Sequence, residues 1–377
     1  MCGGNNFFPV LDMGMNPLVN SLVEKKDLKK KERTYPLVVE QCQTCSLVQV
    51  VNNISANKIY RDEDYLYFSG DMPNLTKYFE EYAMDLKDRF LTNIDDLVVE
   101  IGSNDGIMLN FFKDFRILGV DPASNVVVRA LKNGISTLSD FFSERISKSI
   151  EREYGKAKLI YGNNCIAHSE DLHSLVKGVQ SLLKDDGVFV VECNYWGGMV
   201  KNTNYSLVYH DHFSYFSAQN WVDFVPKFGM KAFDATITSA QGGSLRIFIC
   251  KDNREETDRF RQLIQEEKDT NLNSYITCLE YRENAMGKAK RLQDLIYRLN
   301  GEGKRIAGYG AAAKGFSILK LAGIDERHIE YFVDDSPAKQ GKFTPVSHIP
   351  VITRAEAKDP DYFFITAPNY AQTIMEK

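Results

Sequence analysis

The sequence predicts an α/β protein in three parts, and three observations support this fold class. Residues 1–60 contain cysteines spaced as in a metal-binding knuckle. Apolar runs alternate with amphipathic helices through residues 61–252, the pattern of a doubly wound, Rossmann-like parallel sheet. A second, smaller alternation of this kind follows a charged helical connector within residues 253–377. We therefore expect a small N-terminal domain followed by two α/β domains.

Length and charge exclude several classes of protein. The chain has 377 residues and a formal net charge of -5 at pH 7, and its one basic run covers residues 25–33. This acidic balance argues against a nucleic-acid surface. No apolar run reaches the roughly 18 residues of a membrane span, and the N-terminus lacks a secretory pattern. Seven scattered cysteines indicate reduced thiols. We expect a soluble cytoplasmic protein, with a monomer favoured.

The N-terminal cysteines leave two interpretations open. Cys42 and Cys45 lie in the turn QCQTC between two strand-like runs, and Cys2 is a third thiol. A structural zinc site takes four ligands, so either a fourth cysteine lies upstream of this sequence or the site binds no metal. From the residues alone, a metal knuckle and an ordinary buried turn are about equally supported.

A glycine-rich turn in VEIGSNDGIML indicates a nucleoside cofactor. An apolar strand ends in Glu100, a turn with Gly102, Asn104 and Gly106 opens a predicted helix, and the next strand ends in Asp121. Glycines let the backbone approach a ligand, and the carboxylate can meet ribose hydroxyls. The turn lacks the three glycines of the pyrophosphate fingerprint. It therefore favours S-adenosylmethionine over NAD.

Other polar and aromatic residues follow neighbouring strands. Phe141, Asn163 and Glu192 fall at or just past predicted strand ends. Because the carboxyl ends of parallel strands share one edge, we expect these residues to line the same cleft as the glycine turn.

The densest cluster of chemistry-bearing residues is VYHDHFSYFS. It holds Tyr209, Asp211 and His212, and a histidine beside a carboxylate is what a general base near neutral pH requires. A tyrosine can stabilise a developing oxyanion. An iron or zinc site built on the two histidines and the acid is an alternative, and so is a polar surface loop. The residues favour catalysis over metal binding.

Three further segments carry weaker signals. His168 lies just beyond Asn163, which places it near the methyl donor if the fold is right. The turn GYGAAAKG, with Lys314 at a helix start, could bind a diphosphate, although tight helix–strand packing explains an isolated motif of this kind better. The aromatics Tyr65 and Tyr67 are ordinary linker residues unless the cleft closes over them.

Taken together, the motifs resemble the sugar C-methyltransferases that act on nucleotide-linked 4-keto-deoxysugars. In chain order they are LDMGMNPLVNSL, QCQTC, EDYLYFSG, VEIGSNDGIML, GVDPA, NNCIAH, YHDHFSYFS, QGGSLR, GYGAAAKG and KQGKFTP. The resemblance covers nearly the whole chain. It implies an N-terminal zinc-binding domain, a middle class I methyltransferase domain and a C-terminal α/β domain. It also implies methylation of a carbon, commonly C-3, next to the sugar ketone.

The resemblance implies roles for individual residues. His212 would be the base, oriented by Asp211, while Tyr209 and one of Tyr65 or Tyr67 would hold the enolate, with His168 near the sugar. The expected ligands of S-adenosylmethionine, and of S-adenosylhomocysteine after reaction, are Glu100, Gly102, Asn104, Gly106, Asp121, Pro122, Phe141, Phe142, Asn163 and Asn164. The expected contacts of a nucleotide-sugar substrate, dTDP-linked, are Gly310, Lys314, Arg246 and Tyr215. The expected zinc ligands are Cys2, Cys42 and Cys45.

The chain departs from the family pattern in three places. Asp211 stands where the pattern has Glu, Gln241 stands where it often has His, and the first zinc cysteine is missing. Two rival functions therefore stay open. One is O- or N-methylation of another small molecule, which would not need a base beside an oxyanion donor. The other is a catalytically silent, methyltransferase-like binding protein.

Overall fold

The computed structural model describes residues 1–18, 21–51, 54–61, 65, 67–366 and 374–375. Residues 63, 64 and 66 of the EDYLYFSG motif and the side chain of Gln241 lie outside this description. The described elements form three sheets of four, seven and four strands. No helix among these residues is both long and apolar enough to cross a membrane.

The N-terminal sheet is antiparallel and has the order β1-β2-β3-β9. Its strands are β1 (Phe7–Asn16), β2 (Tyr35–Cys42), β3 (Val48–Val51) and β9 (Ser214–Tyr215). The last strand belongs to the YHDHFSYFS block, because Val48 pairs with Tyr215 and the Val50 N–H donates to the Phe213 carbonyl at 3.0 Å. The N-terminal region therefore forms one wall of the segment expected to carry the base.

The middle sheet has seven strands in the order β10-β11-β8-β7-β4-β5-β6. They are β4 (Leu97–Ile101), β5 (Arg116–Asp121), β6 (Thr137–Ser139), β7 (Ala157–Asn163), β8 (Leu183–Asn194), β10 (Lys231–Thr238) and β11 (Ser244–Cys250). Strands β4 to β8 run parallel, and β11 is antiparallel to both of its neighbours. This is the doubly wound sheet predicted from the alternation of strands and helices. The central strands are buried on both faces, which explains their continuous apolar runs.

In the described part of the chain, seven α-helices accompany these two sheets. They are α1 (Ala56–Tyr60), α2 (Pro73–Phe90), α3 (Ser124–Lys132), α4 (Glu144–Tyr154), α5 (Leu172–Leu182), α6 (Trp196–Asn202) and α7 (Ala218–Phe224). The structure corrects one expectation, because the glycine turn after β4 leads into a short 3-10 helix, Leu109–Phe112, rather than an α-helix. That helix buries Leu109 and Phe112, whose spacing of three residues suits the 3-10 repeat.

The C-terminal part begins with two helices, α8 (Asp258–Asp269) and α9 (Tyr275–Gly301). Helix α8 packs on the middle domain, where the Glu267 carboxylate accepts the Ala218 N–H at 2.7 Å. Helix α9 buries one face against the N-terminal sheet and the last domain, as a helical connector should. The last domain is a parallel sheet in the order β14-β13-β12-β15 with one helix. Its elements are β12 (Ile306–Tyr309), α10 (Ala313–Ala322), β13 (Phe332–Val333), β14 (Val351–Ile352) and β15 (Tyr362–Ile365).

The turn after β4 depends on a glycine for both conformation and space, and a pair of variants separates the two. Gly102 has φ 66°, and an added Cβ would lie 2.4 Å from the Cys165 Cβ. Gly134 has φ 77° with nothing within 4 Å of the added atom. Gly134→Ala should lower the free energy of unfolding by about 1–2 kcal/mol. Gly102→Ala should lower it by about 1–3 kcal/mol more, because Cys165 must move. Urea unfolding of both variants measures this difference, and equal losses would contradict it.

Candidate active site

The glycine turn is closed by a carboxylate from the neighbouring strand. Gly102, Asn104 and Gly106 all have positive φ, at 66°, 50° and 79°. The Asn104 N–H donates to Asp121 Oδ2 at 2.9 Å, and the Ala123 N–H donates to Oδ1 at 2.9 Å. Burial raises the pKa of Asp121 to about 6. Each carboxylate oxygen keeps a lone pair for a ligand hydroxyl, and Pro122 follows it, half-buried.

Unpartnered acceptor oxygens line the carboxyl ends of β7 and β8. Of the buried side-chain oxygens that have no hydrogen-bond partner among the described residues, four lie at these strand ends, on Asn163, Asn164, Glu192 and Asn194. Asn163 pairs with Glu192 in register, so their side chains share one face of the sheet. Glu100 is buried nearby, where burial raises the pKa of its carboxyl well above the usual range. These acceptors suit a ligand that carries an ammonium and hydroxyl groups, as S-adenosylmethionine does.

A strap formed by residues 67–71 lies over the glycine turn. The Ser69 N–H donates to Asn104 Oδ1 at 2.9 Å, and Asn104 Nδ2 donates to the Tyr67 carbonyl at 3.0 Å. Just before the strap, the Tyr65 backbone exchanges two hydrogen bonds with the Asn125 side chain, at 2.9 and 3.2 Å. The structure therefore brings Tyr65 and Tyr67 to the cofactor turn and not to an open linker.

The two phenylalanines expected near the adenine separate in the structure. Phe141 is half-buried and packs edge-on against Tyr60, with the ring centroids 6.4 Å apart, in a small cluster that includes Tyr65. Phe142 is 8% exposed and belongs to the core of the middle domain. The structure therefore leaves Phe141 as the candidate cofactor contact and assigns Phe142 to the core.

His212 is held as a neutral imidazole with its lone pair on Nε2. Its Nδ1 lies 2.8 Å from the Leu207 carbonyl oxygen, which can only accept, so Nδ1 carries the hydrogen. Its Nε2 therefore accepts from the Tyr209 hydroxyl at 2.7 Å. Burial is the main cause that lowers the pKa of His212 well below its usual value. The ring can take a proton at Nε2, which is the property required of a general base.

Asp211 does not orient the base, and this corrects the expectation drawn from the sequence. Among the described residues, the hydrogen-bond partners of the His212 ring are the Leu207 carbonyl at Nδ1 and, at Nε2, the Tyr209 hydroxyl and the Asn194 amide. Asp211 is 4% exposed, its Oδ1 has no partner among the described residues, and burial raises the pKa of its carboxyl to about 7. Residues 209–212 form a turn in which the His212 N–H donates to the Tyr209 carbonyl at 3.1 Å.

Tyr215 and Arg246, expected to contact a substrate, make hydrogen bonds inside the protein. The Tyr215 hydroxyl donates to the Leu207 carbonyl at 3.3 Å and so supports the group that holds His212. Arg246 donates from Nε to Glu192 Oε2 at 2.8 Å and from Nη2 to the Tyr78 hydroxyl at 2.8 Å. Both side chains are buried, so their polar atoms are committed to these contacts.

Sequence reasoning missed two residues beside the base. The Tyr60 hydroxyl forms a hydrogen bond with Nδ1 of His168, whose pKa burial lowers to about 4. Nothing in the sequence links residues 108 positions apart. Asn194 lies two positions after Glu192, on the same face of β8, and its Nδ2 is 3.4 Å from His212 Nε2. The two-residue period of a strand could have identified Asn194.

The glycine turn of the last domain is closed by a carboxylate, as the turn of the middle domain is. Gly310 has φ 84°, and the next residue, Ala311, donates its N–H to Asp334 Oδ2 at 2.7 Å. That carboxylate therefore already fills the turn that was expected to cradle a phosphate, so Gly310 shapes the backbone. Lys314 is half-buried, and its charge contributes to the lowered pKa of His212, which places it on the side of the base.

Comparison with known proteins decides the family. A family model described as "Methyltransferase domain" matches residues 75–232, and one described as "C-methyltransferase C-terminal domain" matches residues 239–377. The chain is 30% identical over 382 residues to C-methyltransferase NovU of Streptomyces niveus, covering 100% of this chain and 90% of that protein. This chain belongs to the C-methyltransferase family. It is a C-methyltransferase that depends on S-adenosylmethionine, with the Rossmann-like domain expected from its sequence.

Two solved methyltransferases align with about half of this C-methyltransferase. The plantazolicin methyltransferase BpumL, in complex with SAH, is 11% identical over 49% of this chain and 87% of its own, with a TM-score of 0.38. The magnesium protoporphyrin IX methyltransferase ChlM from Synechocystis, with bound SAM, is 11% identical over 52% of this chain and 89% of its own, with a TM-score of 0.36.

The N-terminal cysteines of the C-methyltransferase converge as its sequence predicts. A model described as "Putative zinc binding domain" matches residues 1–60. The sulfur atoms of Cys2, Cys42 and Cys45 lie within 4.8 Å of one another, and the first two are 3.5 Å apart. Among the described residues this is the one convergent group of three or more metal-ligating side chains. The alternative metal site in the YHDH block, on His210, Asp211 and His212, therefore lacks the required geometry.

Replacing the carboxylate of Asp121 should weaken cofactor binding. In Asp121→Asn, the amide group faces a backbone N–H of Asn104 or Ala123, and two donors in contact disturb the turn. We expect the Kd for S-adenosylhomocysteine, measured by isothermal titration calorimetry, to rise about tenfold or more. Asp114→Asn, at a position 83% exposed, is the matched control and should leave the Kd unchanged. Equal affinities in the two variants would contradict this role.

Proposed function

We propose that this C-methyltransferase methylates a nucleotide-linked 4-keto-deoxysugar at the carbon next to the ketone, commonly C-3, through an enolate. The observation that carries the proposal is the state of His212, a buried neutral imidazole whose Nε2 lone pair faces the cleft residue Tyr209. A C–H beside a carbonyl is acidic because its carbanion delocalises onto the oxygen, so this reaction needs a base at the carbon. Methylation of an oxygen or nitrogen needs no base of this kind.

The residues around His212 supply the other requirements. The Tyr209 hydroxyl, which donates to Nε2, gives way to the substrate C–H and becomes free to donate to the enolate oxygen. Tyr65, held by Asn125 near the cluster of Tyr60 and Phe141, is the second candidate donor. The unpartnered Asp211 oxygen accepts a hydroxyl or amino hydrogen from the sugar.

The cofactor side of the cleft is built from the strand ends. S-adenosylmethionine, when bound, supplies the electrophilic methyl group that the carbanion takes. Asp121, at the end of the neighbouring strand, accepts the ribose hydroxyls. Glu100 and the unpartnered Asn163 oxygen receive the ammonium, and Phe141 packs on the adenine.

The nucleotide of the substrate fits a cavity between the N-terminal sheet, the base loop and the last domain. This cavity has a volume of about 340 Å³ and is lined at one end by Tyr209 and His210. Lys320 lines it as well and suits the charge of a diphosphate, whereas Arg327, also in the lining, is paired with Asp325 at 2.5 Å. With Lys314 on the side of the base, a dTDP-linked sugar could span from this cavity to His212.

Deuterium exchange tests the reaction. In deuterated water and without methyl donor, the protein should exchange the C-3 hydrogen of a nucleotide-linked 4-keto-6-deoxysugar, and methylation should follow when S-adenosylmethionine is added. His212→Ala should lower both rates by about 10²- to 10⁴-fold, the usual contribution of a general base. His173→Ala, at an exposed histidine, is the matched control and should change neither rate.

Two outcomes of this experiment favour the rival functions. Methyl transfer to oxygen or nitrogen without exchange would identify a small-molecule O- or N-methyltransferase. Neither exchange nor transfer, with S-adenosylhomocysteine still bound, would identify a silent binding protein. Retention of exchange in His212→Ala would place the base elsewhere.

We also propose that Cys2, Cys42 and Cys45 hold a structural zinc ion. Thiolates are preferred zinc ligands, and the Gly4 N–H donates to the Cys2 sulfur at 3.2 Å, which supports a negative sulfur. The purified chain should contain close to one zinc per molecule by atomic emission, and Cys42→Ser should lose most of it. Cys278→Ala, at a cysteine buried in α9, should retain the metal. A metal-free wild type would refute the proposal.

A further inference from the structure

We infer that Tyr60 is a positioning residue that fixes His168 as an Nε2–H donor beside the base, so that His168 donates a hydrogen bond to the oxygen on which charge develops. The second half of this inference rests on the proposed function. The first half depends only on the hydrogen bonds of the free protein.

The hydroxyl of Tyr60 determines which nitrogen of His168 carries the hydrogen. Tyr60 ends helix α1 and is 8% exposed, and its hydroxyl is bonded to His168 Nδ1. Within the described residues no other acceptor contacts this hydroxyl. A buried O–H is costly without an acceptor, so Tyr60 donates and Nδ1 accepts. A neutral imidazole with Nδ1 as acceptor carries its hydrogen on Nε2.

His212 is held in the opposite tautomer. The Leu207 carbonyl keeps the hydrogen of His212 on Nδ1, which leaves the lone pair on Nε2. The two imidazoles meet edge to face, with ring centroids 5.0 Å apart and an angle of 83°. The site therefore presents one fixed lone pair and one fixed N–H side by side.

An enolisation needs a lone pair at the carbon that loses its proton and a hydrogen-bond donor at the carbonyl oxygen, and these two rings can supply both. The C–H bond breaks, its proton goes to His212 Nε2, and its electron pair moves through the carbon–carbon bond to the carbonyl oxygen. His168 Nε2–H donates a hydrogen bond to that oxygen and keeps its own proton. Burial lowers the pKa of His168 to about 4, so the ring is a neutral donor near pH 7. A preorganised neutral donor stabilises the developing charge.

The role of the Tyr60 hydroxyl can be tested separately from the packing of its ring. The ring lies 5.3 Å from that of Tyr65 and 6.4 Å from that of Phe141, between centroids, within a small apolar cluster. Tyr60→Phe keeps these contacts and removes the one group that fixes His168. A change in the His168 tautomer in this variant is therefore an effect of the hydroxyl.

Nitrogen NMR of the full chain labelled with ¹⁵N-histidine reads both tautomers without any ligand. The two rings are assigned from His168→Asn and His212→Asn. In the wild type we expect hydrogen on Nε2 of His168 and on Nδ1 of His212. Tyr60→Phe should move a substantial fraction of the His168 hydrogen to Nδ1 and leave His212 unchanged. Tyr154→Phe, at a half-buried tyrosine of α4, is the control and should change neither ring. Hydrogen on Nδ1 of His168 in the wild type, or an unchanged tautomer in Tyr60→Phe, would overturn the inference.

Kinetics test the role of the N–H. With the 4-keto-6-deoxysugar nucleotide, Tyr60→Phe should lower kcat about tenfold to a hundredfold and change KM less than threefold, because the donor acts on charge present only during reaction. An unchanged kcat would overturn the assigned role. A wild type that accepts no keto-sugar would instead refute the proposed function and with it this role, while the tautomers of the free protein would still stand or fall by NMR.

Discussion

The hydrogen bond from His212 Nδ1 to the Leu207 carbonyl decides which ring nitrogen can take a proton. The Leu207 carbonyl also accepts the hydroxyl of Tyr215, and Tyr215 is fixed because it pairs with Val48 of the N-terminal sheet. Val48, 164 positions before His212 in the chain, thus helps to fix the ring proposed as the base. The N-terminal sheet therefore supports the candidate active site, in addition to any role in metal binding.

The same interaction, a backbone N–H that donates to a carboxylate of the next strand, closes both Rossmann-like turns. In the middle domain Asp121 accepts the backbone N–H of Asn104, and in the last domain Asp334 accepts that of Ala311. The two turns differ in whether the polar groups around them have hydrogen-bond partners. Beside the first turn, buried acceptor oxygens such as that of Asn163 have no partner within the described part of the chain, whereas Lys339 satisfies Asp334 at 3.1 Å. The first turn therefore lies beside acceptors that suit a ligand, whereas the carboxylate of the second turn is paired inside the protein.

The sequence predicted those parts of the site that depend on local pattern. Strand periodicity brought Glu100, Asp121 and Asn163 to one sheet edge, because parallel strands end together. It could not show that Arg246 turns inward onto Glu192, or that the Leu207 carbonyl rather than Asp211 orients His212, because these contacts depend on packing between distant segments. The contact of Tyr60 with His168 is of the same kind. The α-helix expected after the glycine turn is a 3-10 helix instead, and the reason is local. The buried residues Leu109 and Phe112 are three positions apart, a spacing that suits a 3-10 helix.

Single-turnover methylation of a keto-sugar deuterated at C-3 tests most directly whether His212 removes a proton from carbon. The deuterium should appear in water at least as fast as the methyl group appears on the sugar, and turnover should be several-fold slower than with the protiated sugar if C–H cleavage limits the rate. Retention of the deuterium in the methylated product would contradict the assignment of His212 as the base of a C-methylation.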